Sequence, residues 1–124
     1  MKKCYGSEVT TGEVLLETAR VAIYPDIAPM FVLNNVRIEV LVTNTHTYHH
    51  GYDMGITTRH DFTITSKVDT FDYSTLPQPY EHCLIVIDGM PNTVKAWFYT
   101  AIPVYLHDGK VIVLKFSGVS HRKK

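Results

Sequence analysis

Apolar and polar residues alternate along several short segments of this sequence, and this alternation limits the folds open to the chain. In VRIEVLVT (36–43), every second residue is a branched apolar one, while Arg37 and Glu39 stand between them. DFTITSKV (61–68) and VKAWFYT (94–100) repeat the pattern. A period of two is that of a β-strand with one buried face and one polar face. The sequence therefore predicts a chain built mainly of strands.

Turn-forming residues between the apolar segments predict that neighbouring strands are antiparallel. Asp108-Gly109 separates two apolar runs, and such a pair readily adopts the positive φ angles of a tight hairpin turn. Asn34-Asn35 predicts a second hairpin turn, and IDGMPNTVKAW (87–97) predicts a third, longer turn. Chains that reverse at such short connections pair their strands side by side.

Two further features refine the strand assignment. CLIVI (83–87) is apolar throughout, which predicts a central strand covered on both faces. Pro103 is expected at an edge or a bulge, because proline cannot donate a hydrogen bond to a sheet ladder.

The segment TTGEVLLETARVAIYP (10–25) fits two kinds of secondary structure. Thr10 followed three residues later by Glu13 resembles the capping box of a helix, and the apolar residues beyond it cover one helical face. Alternate apolar residues of the same segment also fit one face of a strand, and Gly12 weakens the helix. We favour the strand, with a short N-terminal helix as the alternative.

These segments together predict one all-β, mainly antiparallel domain over residues 1–124. The expected architecture is a sandwich or small barrel of about seven or eight short strands. A chain of 124 residues is long enough for one domain, which needs neither disulfides nor a metal to fold.

Charge and cysteine content argue against a nucleic-acid partner and against a zinc or redox motif. Twelve basic residues balance twelve acidic residues, whereas proteins that bind nucleic acid through its phosphates usually carry a basic excess. Charged residues are only 19% of the chain, which favours shared surface and self-association. Cys4 and Cys83 lack the spacing of a zinc or redox motif. Both are expected to be reduced thiols, with Cys83 buried.

The N-terminal segment does not have the pattern of a secretion signal. Lys2 and Lys3 are not followed by an apolar run, so the sequence predicts no signal peptide. No apolar stretch approaches the length that spans a bilayer, so no membrane partner is expected. The expected location is the cytoplasm of a bacterium or of an infected host cell, with a virion as an alternative.

Residues 45–61, THTYHHGYDMGITTRHD, contain four of the chain's seven histidines. Residues 44–60 lie between two predicted strands, so the sequence predicts a long loop there, and long loops are often functional. Zinc or another divalent metal needs three or four converging imidazole and carboxylate groups. The candidate ligands here are His46, His49, Asp53 and His60.

The sequence favours a recognition surface over a metal site in this segment. Adjacent His49 and His50 point to opposite sides of an extended chain, so both cannot join one site. Gly51 and Gly55 leave the ligands poorly preorganised, and the H-E-x-x-H motif is missing. No cofactor is therefore expected, and a divalent metal is the alternative.

Aromatic residues are the candidates for binding a partner. Predicted loops carry Tyr48, Tyr52 and Tyr80, while Trp97 and Tyr99 share one face of a predicted strand. Tyrosine and tryptophan bury large areas with little loss of entropy, so they dominate many binding surfaces.

The function predicted from the sequence is that of a non-enzymatic, β-rich module that binds another protein or itself, with no catalytic residue assigned. The compact chain without a signal peptide suits a small phage or viral protein, either a structural component or one directed at the host. Two alternatives remain open. One is a small metal-dependent enzyme that uses residues 45–61, and the other is a single-stranded nucleic-acid binder that uses an aromatic strand face.

Overall fold

The computed structural model describes residues 5–67, 75–90, 94–106 and 109–122, which contain six β-strands and no α-helix. The strands are β1 (Tyr5–Pro25), β2 (Phe31–His49), β3 (Tyr52–Lys67), β4 (His82–Ile87), β5 (Val94–Leu106) and β6 (Gly109–Arg122). The ambiguous segment 10–25 lies entirely in β1. The strand interpretation of this segment is therefore confirmed, and the helical alternative is wrong.

The six strands form one sheet in the order β1-β2-β3-β6-β5-β4, and β4 pairs again with β1, so the ring of pairings closes. Every pair is antiparallel. The prediction of an all-β, mainly antiparallel fold is confirmed. The described residues contain six strands rather than seven or eight, because β2 and β3 extend through stretches that were expected to be a turn and a loop.

β2 passes through Asn34-Asn35 without turning. Asn35 has a φ angle of 54° and lies at a register shift between β1 and β2. An extra residue in one strand makes a bulge, and asparagine tolerates this left-handed conformation better than most residues. The predicted hairpin turn at this position is wrong, and the chain reverses between Pro25 and Phe31 instead.

The other two predicted turns lie between strands that do pair. β5 and β6 form a hairpin in which Leu106 lies opposite Gly109, although Asp108 itself falls outside the described residues. β4 and β5 pair across the connection predicted within residues 87–97. The turn-forming residues therefore predicted the positions of these two chain reversals correctly.

The position of Pro103 in β5 agrees with the prediction, whereas the burial of β4 does not. Pro103 pairs with β6 on one side, and no described residue forms a ladder with it on the other side, so the proline lies at an edge of the described sheet, as predicted. In β4, Leu84 is 39% exposed between the buried residues Cys83 and Ile85. The prediction of a strand covered on both faces is wrong, because the closed sheet buries only its inner face.

The core lies inside the closed part of the sheet. In β2, Val36, Ile38 and Val40 are buried while the residues between them are exposed, as the alternation predicted. Phe62 is buried beside them from β3. Cys83 is also buried, and burial raises the pKa of its thiol to about 12. This thiol is therefore a packed apolar group and not a reactive nucleophile.

Four of the strands continue beyond the core. Gly12 lies opposite Val42, Val42 opposite His60, and His60 opposite Gly118, which marks a common level across β1, β2, β3 and β6. The sheet past this level is called the extension here, and it comprises residues 5–12, 42–49, 52–60 and 118–122. Among the described residues, β4 and β5 pair with no part of the extension.

Gly118 lies where β5 crosses β6 at the base of the extension, and this crossing generates a prediction. A Cβ atom at Gly118 would lie 2.5 Å from the backbone carbonyl oxygen of Lys95, whereas one at Gly12, on the same level, would meet nothing within 4 Å. We expect Gly118→Ala to lower the free energy of unfolding by about 1–3 kcal/mol, because the backbone of β5 must shift. Gly12→Ala is the control and should change it by less than about 0.5 kcal/mol. Urea denaturation measures both, and equal effects would contradict the close packing of β5 on Gly118.

Candidate interaction surface

The histidine-rich segment 45–61 is a β-hairpin and not a loop. β2 ends at His49 and β3 begins at Tyr52, so two residues make the turn. His50 and Gly51 have φ angles of 51° and 77°, the signs of a type I′ hairpin turn. The predicted long loop is wrong, because neither face of this segment is fully buried, and its apolar residues therefore do not alternate regularly with polar ones.

Three of the predicted site residues meet near the tip of this hairpin. Nε2 of His46 lies 2.7 Å from Oδ1 of Asp53, and the Tyr48 hydroxyl lies 3.0 Å from Nδ1 of His46. The same Asp53 oxygen accepts a hydrogen bond from the Gly55 amide at 2.8 Å. His46 thus uses both ring nitrogens and links the two strands of the hairpin.

The His46 ring keeps both hydrogen bonds in either protonation state. An ionised Asp53 only accepts, so Nε2 of His46 carries a hydrogen. A neutral ring accepts from the Tyr48 hydroxyl at Nδ1, whereas a charged ring donates from Nδ1 to the Tyr48 oxygen. Partial burial, followed by the carboxylates of Glu8 and Asp53, raises the pKa of Tyr48, so its hydroxyl stays protonated at neutral pH. The side chains of His46, Tyr48 and Asp53 are together called the clasp here, because they join the two strands of the hairpin.

The remaining candidate metal ligands lie elsewhere on the sheet. His49 packs against His50 in an edge-on contact, with 4.3 Å between the ring centroids. His60 stacks beside Phe62 at the base of the extension, opposite Gly118. The structure therefore brings together His46 and Asp53 but neither of the other two predicted ligands. Within the described ranges, no group of three or more metal-ligating side chains converges.

The candidate aromatic residues fall in separate places. Tyr80 and Tyr99 form an edge-on pair with centroids 6.3 Å apart, and they are 68% and 55% exposed. Trp97 is partly buried beside His82. Tyr52 is 74% exposed next to the hairpin turn, and Tyr48 belongs to the clasp. Only the Tyr80–Tyr99 pair offers adjacent exposed rings among these predicted binding residues.

Glu81 holds the connection that presents Tyr80, and sequence analysis did not identify it. Its carboxylate accepts hydrogen bonds from the backbone amides of Ile27 at 2.9 Å, Ala28 at 2.8 Å and Gln78 at 3.2 Å. Burial by itself would raise the pKa of Glu81, but these three amides outweigh it and lower the pKa. The hydrogen bonds to Ile27 and Ala28 join residues more than fifty positions apart, so no local sequence pattern predicts them.

β1 presents a long open edge that sequence analysis also did not single out. Residues 5–16 pair with β2 on one side, while β4 pairs with β1 only from Val21 onward. Among the described residues, no strand ladder is formed on the second edge of 5–16. Residues 6–15 are exposed on both faces of the sheet, and they include Val9, which is 59% exposed.

β6 has a shorter open edge on the other side of the extension. Residues 118–122 pair with β3, while the ladder between β5 and β6 ends at Ser117. Val119 lies on this edge and is exposed. The extension is therefore a four-stranded sheet whose two outer strands, β1 and β6, have no further neighbouring strand among the described residues.

Comparisons with protein-family models, with curated proteins and with solved structures find no match to this chain. In the part of the chain that the structure describes, no helix has the length and apolar character needed to cross a membrane.

The clasp on the hairpin generates a prediction. Asp53→Ala removes the acceptor for His46 and for the Gly55 amide, so we expect a loss of about 1–2 kcal/mol from the free energy of unfolding. Amide hydrogen exchange at Gly55 should become faster. Asp88→Ala is the control, since it breaks an exposed pair with Arg20 at 3.6 Å and should cost less than about 1 kcal/mol. Unchanged exchange at Gly55 would rule out the clasp.

The Glu81 carboxylate generates a pH-dependent prediction. Because the pKa of Glu81 is lower in the folded chain, the stabilising effect of its carboxylate is complete above the ordinary pKa of the unfolded chain and is lost as the pH falls through the lower pKa of the folded chain. We expect Glu81→Gln to destabilise the protein by about 1–3 kcal/mol at neutral pH. The difference from the wild type should shrink in acid.

Thermal unfolding followed from neutral to acidic pH measures this difference. Glu39→Gln is the control, because this half-exposed carboxylate pairs with Arg37 at the surface. A wild-type advantage over Glu81→Gln that persists in strong acid would contradict the assigned role of the carboxylate.

Proposed function

We propose that this chain is a β-rich interaction module, built as a small barrel with an extended sheet, that binds a strand of another polypeptide along the open edge of β1. The supporting observation is that, among the described residues, residues 5–16 form a strand ladder on one side only, and that they are exposed on both faces almost throughout. An added strand would satisfy the outward-facing N–H and C=O groups of this edge and cover its apolar side chains.

The composition of the edge favours this proposal. Proteins that keep a sheet edge free usually protect it with lysine, proline or a bulge. Residues 5–16 read YGSEVTTGEVLL, with no lysine, arginine or proline, and their pairing with β2 is regular throughout. Val9, Val14 and Leu15 are exposed on this strand. A long, regular and partly apolar edge without such protection favours the addition of another strand.

The exposed aromatic pair is a proposed second contact. Tyr80 and Tyr99 lie side by side and project into solvent, and Glu81 fixes the backbone that carries Tyr80. Rigid, exposed tyrosines contribute binding energy at little cost in entropy. A component of an assembled viral or phage particle, the class suggested by the sequence, would use surfaces of this kind.

The two rival functions have less support. A metal-dependent enzyme needs at least three converging ligands, whereas the candidate set contributes His46 and Asp53 to one place. A single-stranded nucleic-acid binder needs aromatic rings along one basic groove. Here the candidate rings are dispersed, and positive and negative residues are equal in number.

Selection from a random peptide library tests strand addition directly. The variant Val9→Lys places a charge on the open edge, a device that natural proteins use against strand pairing. Leu41→Lys is the matched control, because Leu41 is an exposed apolar residue on β2, which is paired on both sides. We expect peptides selected on the wild type to bind Val9→Lys about tenfold more weakly or worse, and to bind Leu41→Lys normally.

Amide hydrogen exchange then locates the bound peptide. Residues 5–16 should become protected on binding, as expected for added backbone hydrogen bonds. Peptides that bind both variants equally and leave these amides unprotected would exclude the edge of β1 as the binding site.

A further inference from the structure

Among the described residues, β6 forms a second open edge of the extension, and the properties of this edge suggest what the first edge binds. We infer that the strand added to β1 is β6 of a second copy of this chain, so that copies associate head to tail through the extension. This inference rests on the function proposed above and adds the identity of the partner.

Strand direction permits this association without inverting either copy. β1, β2, β3 and β6 alternate in direction, since each adjacent pair is antiparallel. An even number of alternating strands leaves β1 and β6 running in opposite directions at the two edges. When two copies stand side by side in the same orientation, β6 of one copy is therefore antiparallel to β1 of the next, and the sheet continues unbroken.

The two edges lie at the same height on the sheet. Val9 lies level with His121 through Thr45 and Thr57, by successive pairings across the sheet. Residues 118–122 of one copy would then face residues 8–12 of the next in a level arrangement. Exposed apolar side chains occur on both segments, with Val9 on β1 and Val119 on β6. In this arrangement Val119 of one copy lies opposite Thr11 of the next copy. Val9 is two residues from Thr11 on the same face of the sheet, so the two valines are diagonal neighbours and are close enough to pack.

Charge favours the head-to-tail arrangement over the pairing of two β1 strands. Residues 5–16 contain Glu8 and Glu13 and no basic residue, whereas residues 118–122 contain His121 and Arg122 and no acidic residue. Pairing β1 with β1 places acidic strands together and leaves both β6 edges unpaired. Pairing β1 with β6 joins segments of complementary charge and satisfies both open edges of every copy.

Head-to-tail contacts differ from two-fold contacts in what they build. Each copy offers one β1 edge and one β6 edge, so association does not stop at a dimer. It ends in a closed ring if the rotation between copies closes, and in an open chain otherwise.

Mixing two blocked variants tests the inference. Val9→Lys/Thr11→Lys blocks the β1 edge, and Val119→Lys blocks the β6 edge, with Ser120→Lys as its substitute should Val119→Lys fail to fold. Leu41→Lys is the control with intact edges. Sedimentation velocity should show assemblies larger than a dimer for the wild type and the control, and monomers for each blocked variant alone. An equal mixture of the two blocked variants should form dimers, because one intact β6 edge meets one intact β1 edge.

The remaining outcomes overturn the inference and separate it from the proposed function. Dimers formed by the β6-blocked variant alone would show that two β1 strands pair with each other, which retains strand addition but replaces the partner edge. A wild type that stays monomeric in concentrated solution would remove the second copy as partner. The peptide selection described above would then decide whether the β1 edge still binds a foreign strand.

Discussion

The pairing of β2 with β1 on one side and β3 on the other supports both parts of the molecule. The same two ladders run from the core to the hairpin tip. Near the core, they align the buried faces of the three strands, so that Val36 lies opposite Ala19 and Val40 lies opposite Phe62. Farther out, the ladders hold a sheet that has no buried apolar layer of its own. The extension is therefore stabilised by backbone hydrogen bonds and by continuity with the core, not by independent packing.

This division explains which parts of the fold could be predicted from the sequence. The strands around Ile38, Ile64 and Phe98 were identified because one of their faces is buried, and burial imposes an alternating pattern. The strands of the extension carry polar residues on both faces, so the segment around His50 resembled a loop. Asn35 resembled a turn because bulges and turns favour the same left-handed backbone conformation.

The candidate surface could be predicted only in part, for a related reason. Exposed aromatic residues such as Tyr52, Tyr80 and Tyr99 are visible in the sequence as residue types. An open edge is a property of pairing, since it depends on which strands lack a neighbour. The bonds of Glu81 to Ile27 and Ala28 likewise depend on tertiary structure. Features that depend on the type of a single residue could therefore be predicted from the sequence. Features that depend on which strands are neighbours, or on tertiary contacts, could not.

The two-residue turn at His50-Gly51 also bears on the order in which the chain folds. It joins a long ladder whose partners begin three positions apart, at His49 and Tyr52, as do those of the β5–β6 ladder at Leu106 and Gly109. The ladder that closes the ring instead joins Val21 to Ile87. Closing a long loop costs more chain entropy than closing a short one. We therefore expect the β2–β3 hairpin to form early, with His46 and Asp53 locking it, and the ring to close late. Until it closes, the edges of the sheet remain exposed in every newly made chain.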